Sequence, residues 1–375
     1  MKKGDENMAP FKYDVVGSFL RPDDLKEARN QYKNNSLSKE ALKDIEDKAI
    51  KELVEKEIEL GLQAITDGEF RRAYWHLDFL DGLAGVEEVS TDHWSKEFKK
   101  IQDEPSTLNV LGKVDFTEDH PFIDHFRYLK SIAGDHLCKL TIPSPTMIHL
   151  ICCMREEKYV PIDIYQNMDD LYYDIAMAYQ KAIKTFYNEG CRYLQFDDTA
   201  WGELCDKSRR KVYSERGFDI DQVQEDYVKM INLALEAKPD DMIITMHICR
   251  GNFRSQWFFN GGYTPIAKSV FAHCHVDGFF LEYDSERAGD FKPLRYINGQ
   301  KVVLGLVTSK FPELEDKEAI KARIIEASQY VPLDHLCLSP QCGFSSTDEG
   351  NVLTEDDQWN KIKLIKEISK EVWGA

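Results

Sequence analysis

Residues 192–198 read RYLQFDD, and residues 241–249 read DMIITMHIC. Both are short apolar runs without clean alternation, a pattern typical of strands that are buried on both faces of a parallel sheet. Each run ends in polar side chains, Asp197 in the first and His247 and Cys249 in the second. These runs therefore predict buried strands that carry polar groups at their carboxyl ends.

Six further apolar runs recur along the chain, and amphipathic stretches separate most of them. The runs are YDVVGSF (13–19), LQAITDGEF (62–70), LCKLTIPSP (137–145), VDGFFLEYD (276–284), KVVLGLVTS (301–309) and DHLCLSPQC (334–342). Apolar residues three and four apart predict helices over 39–60, 168–188, 220–237, 317–330 and 356–372. Eight strands that alternate with helices predict an α/β protein, a (β/α)8 TIM barrel. The pattern alone leaves a doubly wound open sheet as the alternative.

Two segments fall outside this alternation. Residues 71–136 are too long for a simple connection between a strand and a helix, so we expect an inserted excursion after the second strand, over one face of the barrel. The first ten residues, MKKGDENMAP, have no apolar run after their lysines, and we expect residues 1–10 to be disordered. Since no change in composition marks a boundary, residues 11–375 are predicted to form a single barrel domain.

Composition narrows the class of protein. Hydrophobic residues make up 42% of the 375 residues, enough for a large core. The formal net charge of -18 argues against nonspecific binding to nucleic acid or to an anionic membrane. No apolar run approaches the roughly 20 residues that span a bilayer, and a cytoplasmic location is predicted. Nine widely spread cysteines fit a reducing compartment, where some serve as core residues and a few as ligands or nucleophiles.

Polar residues collect at the carboxyl ends of the predicted strands, the end at which barrels carry their active sites. They are Gly17, Ser18, Asp67, Glu69, Asp197, Asp198, His247, Cys249, Glu282 and Cys342. His247 and Cys249 lie two residues apart, so an extended chain turns both side chains to the same side. Imidazole, thiolate and carboxylate groups are zinc ligands. The residues alone leave a metal site and a structural role about equally open.

A second group of polar residues suits a charged small molecule. Gly17 permits close approach of the backbone, and the carboxylate of Glu69 can bind an ammonium group. Asp197 and Asp198 are adjacent in a predicted strand and point to opposite faces, so one of them is expected to enter the site. The chain has no P-loop, no GxGxxG motif after a strand and no GxSxG motif. Nucleotide-binding and serine hydrolase functions are therefore not indicated.

These motifs resemble the catalytic half of cobalamin-independent methionine synthase, and more closely the short single-barrel bacterial members of that family. The resemblance runs from about residue 12 to the C-terminus. It is carried by VVGSFLRP (15–22), TDGE (66–69), LQFDDTA (194–200), HIC (247–249), Glu282 and SPQCG (339–343).

The resemblance implies a fold, a cofactor and a reaction. The fold is a (β/α)8 barrel, and the reaction moves a methyl group to the thiol of homocysteine and forms methionine. Zinc would be bound by His247, Cys249, Glu282 and Cys342. Homocysteine would contact Gly17, Ser18, Glu69 and Asp197. The methyl donor would be 5-methyltetrahydrofolate or a simpler molecule.

The chain departs from the family pattern at residues that would act on the methyl donor. The family's Asp-x-His-Ser-Pro element reads TSKFP at 308–312, so the histidine assigned as proton donor has no counterpart. Lys310 stands in its place as the catalytic candidate, although an unperturbed lysine is a poor acid at pH 7. Two other functions stay open. One is a uroporphyrinogen decarboxylase-like enzyme without zinc, which binds an acidic substrate through arginines, and the other is a non-catalytic protein that binds zinc or amino acids.

Overall fold

The centre of the fold is a parallel sheet. The computed structural model describes residues 8–90, 106–157 and 159–374. Within them the sheet consists of β1 (Ala64–Ile65), β4 (Leu137–Pro143), β5 (Tyr193–Asp198), β6 (Ile243–Ile248), β7 (Gly278–Glu282), β8 (Lys301–Val307) and β9 (Leu336–Pro340). The strands lie side by side in this order, without a reversal. Since a doubly wound sheet reverses its order at a switch point, that alternative is wrong.

Helices follow most of the strands and pack on the sheet. In chain order they are α1 (Asp23–Lys33), α2 (Lys39–Leu60), α3 (Leu77–Leu80), α4 (Pro121–Ile132), α5 (Thr146–His149), α6 (Met168–Asn188), α7 (Ala200–Cys205), α8 (Lys207–Glu215), α9 (Ile220–Leu235), α10 (Thr264–His273), α11 (Lys317–Ala327) and α12 (Glu355–Trp373). The five predicted helices correspond to α2, α6, α9, α11 and α12. Side chains cap their starts, since Ser38, Asn167 and Thr354 accept backbone N–H groups at the first turns of α2, α6 and α12.

The predicted strand 13–19 does not form a regular ladder. It makes one bridge to β9. The carboxylate of Asp14 accepts the backbone N–H groups of Val15 at 2.8 Å and Phe11 at 3.3 Å. These local hydrogen bonds satisfy donors that a strand partner would otherwise have to satisfy.

The same segment nevertheless lies beside both edges of the sheet. Asp14 N donates to Leu338 O in β9 at 3.1 Å, and Phe19 N donates to Gly68 O just beyond β1 at 3.1 Å. The sheet therefore curls, and the barrel prediction is confirmed at the level of an α/β protein with a curled parallel sheet that is TIM-barrel-like. Among the described residues, an irregular segment takes the place of the predicted first strand.

The predicted strand 62–70 is shortened to the two residues of β1. Gly68 and Glu69 follow with φ angles of 63° and 61°, in the left-handed region. This conformation is uncommon for a glutamate and collects at functional sites. The turn redirects the chain at the carboxyl end of β1 and sets the position of the Glu69 side chain.

The excursion after β1 contains α3, α4 and an antiparallel ribbon of β2 (Ala84–Ser90) and β3 (Ser106–Asp115). Val86 and Leu108 of the ribbon are buried and join the main core. At its start, Trp75 N donates to Ser346 O at 3.1 Å, in the loop after β9. The beginning of the excursion thus borders the carboxyl end of the sheet, whereas residues 91–105 lie outside the described residues.

The described chain begins near the opposite end of the sheet. Residues 1–7 of the segment predicted to be disordered lie outside the described residues. Ala9 is buried, and Lys301 Nζ donates to the carbonyl oxygens of Met8 at 2.7 Å and Pro10 at 3.1 Å. In the part of the chain that the structure describes, no helix has the length and apolar character needed to cross a membrane.

Candidate metal centre and amino-acid pocket

Four buried side chains with metal-binding chemistry meet at the carboxyl end of the sheet. His247 lies near the end of β6 with Cys249 just after it, Glu282 ends β7, and Cys342 lies two residues after β9. One ligand atom of each side chain lies within 4.8 Å of those of the other three. The structure thus brings together all four residues that the sequence nominated as metal ligands.

The separation of the two thiols fits a single tetrahedral zinc ion. Cys249 Sγ and Cys342 Sγ lie 3.7 Å apart. Two Zn–S bonds of about 2.3 Å at the tetrahedral angle place their sulfurs about 3.8 Å apart. A disulfide requires about 2.05 Å, and both cysteines are free. The spacing fits two ligands of one ion, and it also allows the hydrogen bond between the two thiols.

The imidazole of His247 is oriented for the same purpose. Its Nδ1 lies 3.3 Å from Phe280 O, and because a carbonyl only accepts, we place the ring proton on Nδ1. Nε2 is buried, and no hydrogen-bond partner is found for it among the described residues. Metal-bound histidines commonly donate their second ring N–H to a carbonyl in this way. In the neutral imidazole the lone pair of Nε2 would therefore be available to a metal, which competes with a proton for this atom.

The carboxylate of Glu282 is held by two neighbours. Arg250 N donates to Oε1 at 2.8 Å, and Arg287 Nη2 donates to Oε2 at 2.6 Å. Arg287 also lies 3.0 Å from Asp284. Burial alone would raise the pKa of Glu282, but Arg287 and other nearby cations hold it below its ordinary value. Glu282 is consequently ionised and can act as an anionic ligand.

The buried group carries excess negative charge. Burial opposes a charge on His247, yet Cys342 and Asp197 beside it raise its pKa to about 9. The hydrogen bond between the two thiols lowers the pKa of Cys342 well below its ordinary value and raises that of Cys249. A cation bound by these four side chains would neutralise the negative charge of Cys342 and Glu282.

A cavity adjoins three of the four residues, His247, Cys249 and Cys342. It is lined by Val16, Ser18, Glu69, Trp75, Asp197, His247, Cys249, Cys342, Gly343 and Ser346. Three predicted substrate contacts, those at positions 18, 69 and 197, therefore share one cavity with candidate metal ligands. A small amino acid in this cavity could place its side chain against the metal group.

Glu69 is fixed in the cavity wall from two sides. Thr141 Oγ1 donates to Glu69 Oε1 at 2.7 Å, and Arg72 Nη1 lies 3.4 Å from the same oxygen. Burial raises the pKa of Glu69. Gly17, the fourth predicted contact, packs behind this oxygen: a Cβ there would lie 3.2 Å from Glu69 Oε1 and 2.6 Å from Thr141 Cγ2. Gly17 thus leaves room for the carboxylate.

Asp197 and Asp198 take different environments. Gln195 Nε2 donates to Asp197 Oδ1 at 2.7 Å in the cavity wall, and burial raises the pKa of Asp197 to about 7. Asp198 accepts from Trp201 N at 2.9 Å and from the hydroxyl of Thr146, and it does not line the cavity. Successive side chains of a strand point to opposite faces of the sheet, so Asp197 reaches the cavity and Asp198 does not.

Ser18 lies between the cavity and the loop that carries Cys342. Its Oγ accepts a hydrogen bond from Ser345 N at 3.3 Å. A Cβ at Gly343 would lie 1.9 Å from Ser18 Oγ. A glycine directly after Cys342 therefore allows the loop that carries this thiol to close against Ser18.

Comparison with known proteins identifies the family. The family model for the cobalamin-independent synthase catalytic domain matches residues 11–355. The chain belongs to the cobalamin-independent methionine synthase family. It is 46% identical to YxjH of Bacillus subtilis, an uncharacterized protein, over 99% of this chain and 97% of that one. It is 25% identical to the methionine synthase of Saccharolobus solfataricus, over 88% of this chain and 86% of that one.

Solved structures of proteins assigned to the methionine synthase family share the fold. A protein of Listeria monocytogenes, assigned provisionally as a vitamin-B12-independent methionine synthase, superposes with a TM-score of 0.79 at 43% identity, covering 98% of this chain and 99% of that one. The B12-independent methionine synthase of Shewanella sp. W3-18-1 gives a TM-score of 0.69 at 18% identity, covering 96% and 97%. The second comparison shows likeness of fold alone.

Some contacts of this methionine synthase family member have no signal in its sequence. Thr141 supports Glu69 from β4, and Arg250 supports Glu282 through its backbone. Arg287, five residues after Glu282, could have been nominated only from that proximity. Lys310, the candidate in place of the family histidine, does not line the described cavity.

Proposed function

We propose that this protein is a zinc-dependent S-methyltransferase that moves a methyl group to the thiol of homocysteine and forms methionine. The observation that carries the proposal is the buried group of one histidine, one glutamate and two cysteines, because its histidine and both cysteines line a cavity together with two carboxylates and two serines. Membership of the methionine synthase family supports methyl transfer as the reaction.

The metal would be held by His247, Cys249, Glu282 and Cys342. A free thiol has a pKa of about 8.5 and is mostly protonated at neutral pH. Bound zinc would supply stabilisation of the substrate thiolate, the nucleophilic form. The 3.7 Å separation of the two protein sulfurs supports zinc as the ion.

The amino-acid end of homocysteine would bind on the opposite wall of the cavity. The carboxylates of Glu69 and Asp197 would accept hydrogen bonds from its ammonium group. The hydroxyl and backbone of Ser18 would hold its carboxylate. Trp75 would cover this end and exclude water. These contacts would direct the substrate sulfur towards the metal ligands.

The transfer itself conserves atoms and charge. The thiol releases its proton to water, its sulfur forms a bond to the methyl carbon, and the bond between that carbon and the donor breaks with its electron pair left on the donor. The donor would be 5-methyltetrahydrofolate or a simpler methyl compound. A folate nitrogen takes up one proton as it leaves, which balances the proton released by the thiol.

A uroporphyrinogen decarboxylase-like function finds less support. Enzymes that bind acidic substrates commonly use arginine. Among the described residues that line the cavity, two are carboxylates and none is arginine. An acidic substrate would meet repulsion there, whereas an ammonium group would be attracted.

The test combines metal analysis with a screen of methyl donors. We expect about one zinc per chain by elemental analysis, and formation of methionine from homocysteine with at least one donor. Growth of a methionine auxotroph supplied with the gene is the cellular equivalent. Full activity in a metal-free wild type would refute the metal assignment. Bound zinc and homocysteine without turnover on any donor would indicate a non-catalytic binding protein.

A further inference from the structure

Lys310 carries a buried ammonium group whose hydrogen bonds all go to the protein. Its side chain is fully buried. Nζ donates to Asn252 Oδ1 at 2.8 Å, Gly251 O at 3.2 Å and Gln256 O at 3.4 Å. Since an ammonium has three N–H donors, these acceptors use all of them. Lys310 has no donor left for a ligand in the cavity.

The first link runs from Lys310 to the loop that follows Cys249. Gly251 O accepts from Lys310, and Gly251 N donates to Cys249 Sγ at 3.3 Å. Gly251 has a φ of 92°, and a Cβ there would lie 2.3 Å from a ring carbon of Phe258. Gly251, two residues after Cys249, is therefore held in this conformation, and its carbonyl accepts a hydrogen bond from the Lys310 ammonium group.

The second link runs through Asn252 to the loop of the other thiol. While Oδ1 of Asn252 accepts from Lys310, its Nδ2 donates to Gly343 O at 2.8 Å and to Ser346 Oγ at 3.0 Å. Gly343 directly follows Cys342. The Asn252 side chain thus uses its oxygen to bind Lys310 and its nitrogen to bind the loop after Cys342.

The residue before the lysine is anchored in the same place. Ser309 Oγ donates to Gln341 Oε1 at 3.3 Å, one residue before Cys342, and Asn351 Nδ2 donates to Ser309 O at 2.7 Å. The segment that carries Lys310 therefore has a fixed position relative to the second loop. An ammonium group on this segment can hold the first loop at a set distance.

We propose that Lys310 is a positioning residue that sets the separation of the two thiols by joining the loop after Cys249 to the loop after Cys342. The inference rests on the proposed metal site, because it concerns the 3.7 Å spacing of the sulfurs. It assigns to Lys310 a role in metal affinity and removes it as a proton donor to the leaving group.

The experiment measures zinc affinity of the full chain by competition with a chromophoric chelator. Lys310→Met keeps the apolar stem and removes the three donors. We expect zinc affinity to fall by about 10- to 100-fold, the range for loss of a group that orients metal ligands. Asn252→Asp keeps an oxygen for Lys310 but loses the donor to Gly343 O, and it should weaken zinc binding in the same direction.

Lys238→Met is the matched control. Lys238 Nζ also joins a carbonyl to a side chain, donating to Met242 O at 3.0 Å and Asp277 Oδ1 at 3.2 Å, but near the amino ends of β6 and β7. The zinc affinity of the Lys238→Met variant should equal that of the wild type. The visible spectrum of the cobalt(II)-substituted protein gives a second readout, which should change in Lys310→Met and stay constant in Lys238→Met.

The outcomes separate this inference from the function on which it rests. Wild-type zinc affinity together with lost turnover in Lys310→Met would overturn the positioning role and restore a catalytic one. If Lys310→Met does not fold, wild-type zinc affinity in a folded Asn252→Asp variant overturns the inference equally. Failure of the wild type to bind zinc overturns the proposed function instead.

Discussion

Replacing Asp197 with asparagine separates the amino-acid end of the pocket from the metal end. Asp197 lines the cavity, and its Oδ1 already accepts from Gln195, so the substitution keeps the shape and removes the charge. A hydrogen bond to a charged group contributes about 1.5–3 kcal/mol. At about 1.4 kcal/mol per tenfold change, Asp197→Asn should weaken ligand binding by about 10- to 150-fold when the wild-type carboxylate is ionised.

The same residue predicts how binding depends on pH. Burial raises the pKa of Asp197 to about 7, so the anion that attracts the ammonium group is lost as pH falls through that value. The ionised fraction is about 0.9 at about pH 8 and about 0.1 at about pH 6. Wild-type affinity should therefore fall roughly tenfold over this interval, and the dependence on pH should be weaker in the asparagine variant, in which Glu69 is the remaining carboxylate of the cavity lining.

The assay is isothermal titration of L-methionine into chelator-treated protein. Methionine is the suitable ligand because its thioether has no proton to lose, and removal of metal keeps the charge of an ion from changing the pKa of Asp197. Asp198→Asn is the control, since Asp198 does not line the cavity. A wild-type profile that is flat between about pH 6 and 8, or unchanged affinity of Asp197→Asn at the upper pH, would refute the reasoning.

Three further predictions concern other parts of the site. Cys342→Ser should lower zinc affinity by at least about 100-fold, because it removes one of two thiolate ligands; elemental analysis after dialysis would show retained zinc if the assignment is wrong. Gly17→Ala should destabilise the fold by about 1–3 kcal/mol and weaken methionine binding, because its Cβ would crowd Glu69. An unchanged free energy of unfolding, measured with denaturant, would contradict this. Arg287→Gln should cost about 3–5 kcal/mol, because it leaves the buried carboxylate of Glu282 without its ion-pair partner. Zinc should then raise the melting temperature more in this variant than in the wild type, and an equal rise would count against Glu282 as a ligand.

Local patterns in the sequence were sufficient for five of the twelve described helices and for six of the parallel strands. Apolar residues at helical spacing and capping side chains act within a few turns, so the predictions over 39–60 and 168–188 coincide with α2 and α6. The runs at 13–19 and 62–70 were over-extended. Their apolar content resembled that of the other strands, but the hydrogen bonds of Asp14 and the left-handed Glu69 replace ladder pairing there.

The candidate site shows the same division. Side-chain chemistry and the order of strand ends, together with the family resemblance, nominated the four candidate ligands from the sequence. The distance between the two sulfurs, the orientation of His247 and the partners of Glu282 follow only from the folded chain. Each depends on residues from different strands that the curled sheet brings together.

The sequence by itself determined five of the described helices, six of the parallel strands and the reactive groups at the strand ends, because hydrophobic periodicity and side-chain chemistry are properties of nearby residues. Only the tertiary structure decided what those groups do for one another. Lys310 illustrates the reason. The sequence offered it as a substitute for a catalytic histidine, but the three acceptors that surround its ammonium group belong to a loop more than fifty residues away. A buried charge takes its role from the partners that folding supplies.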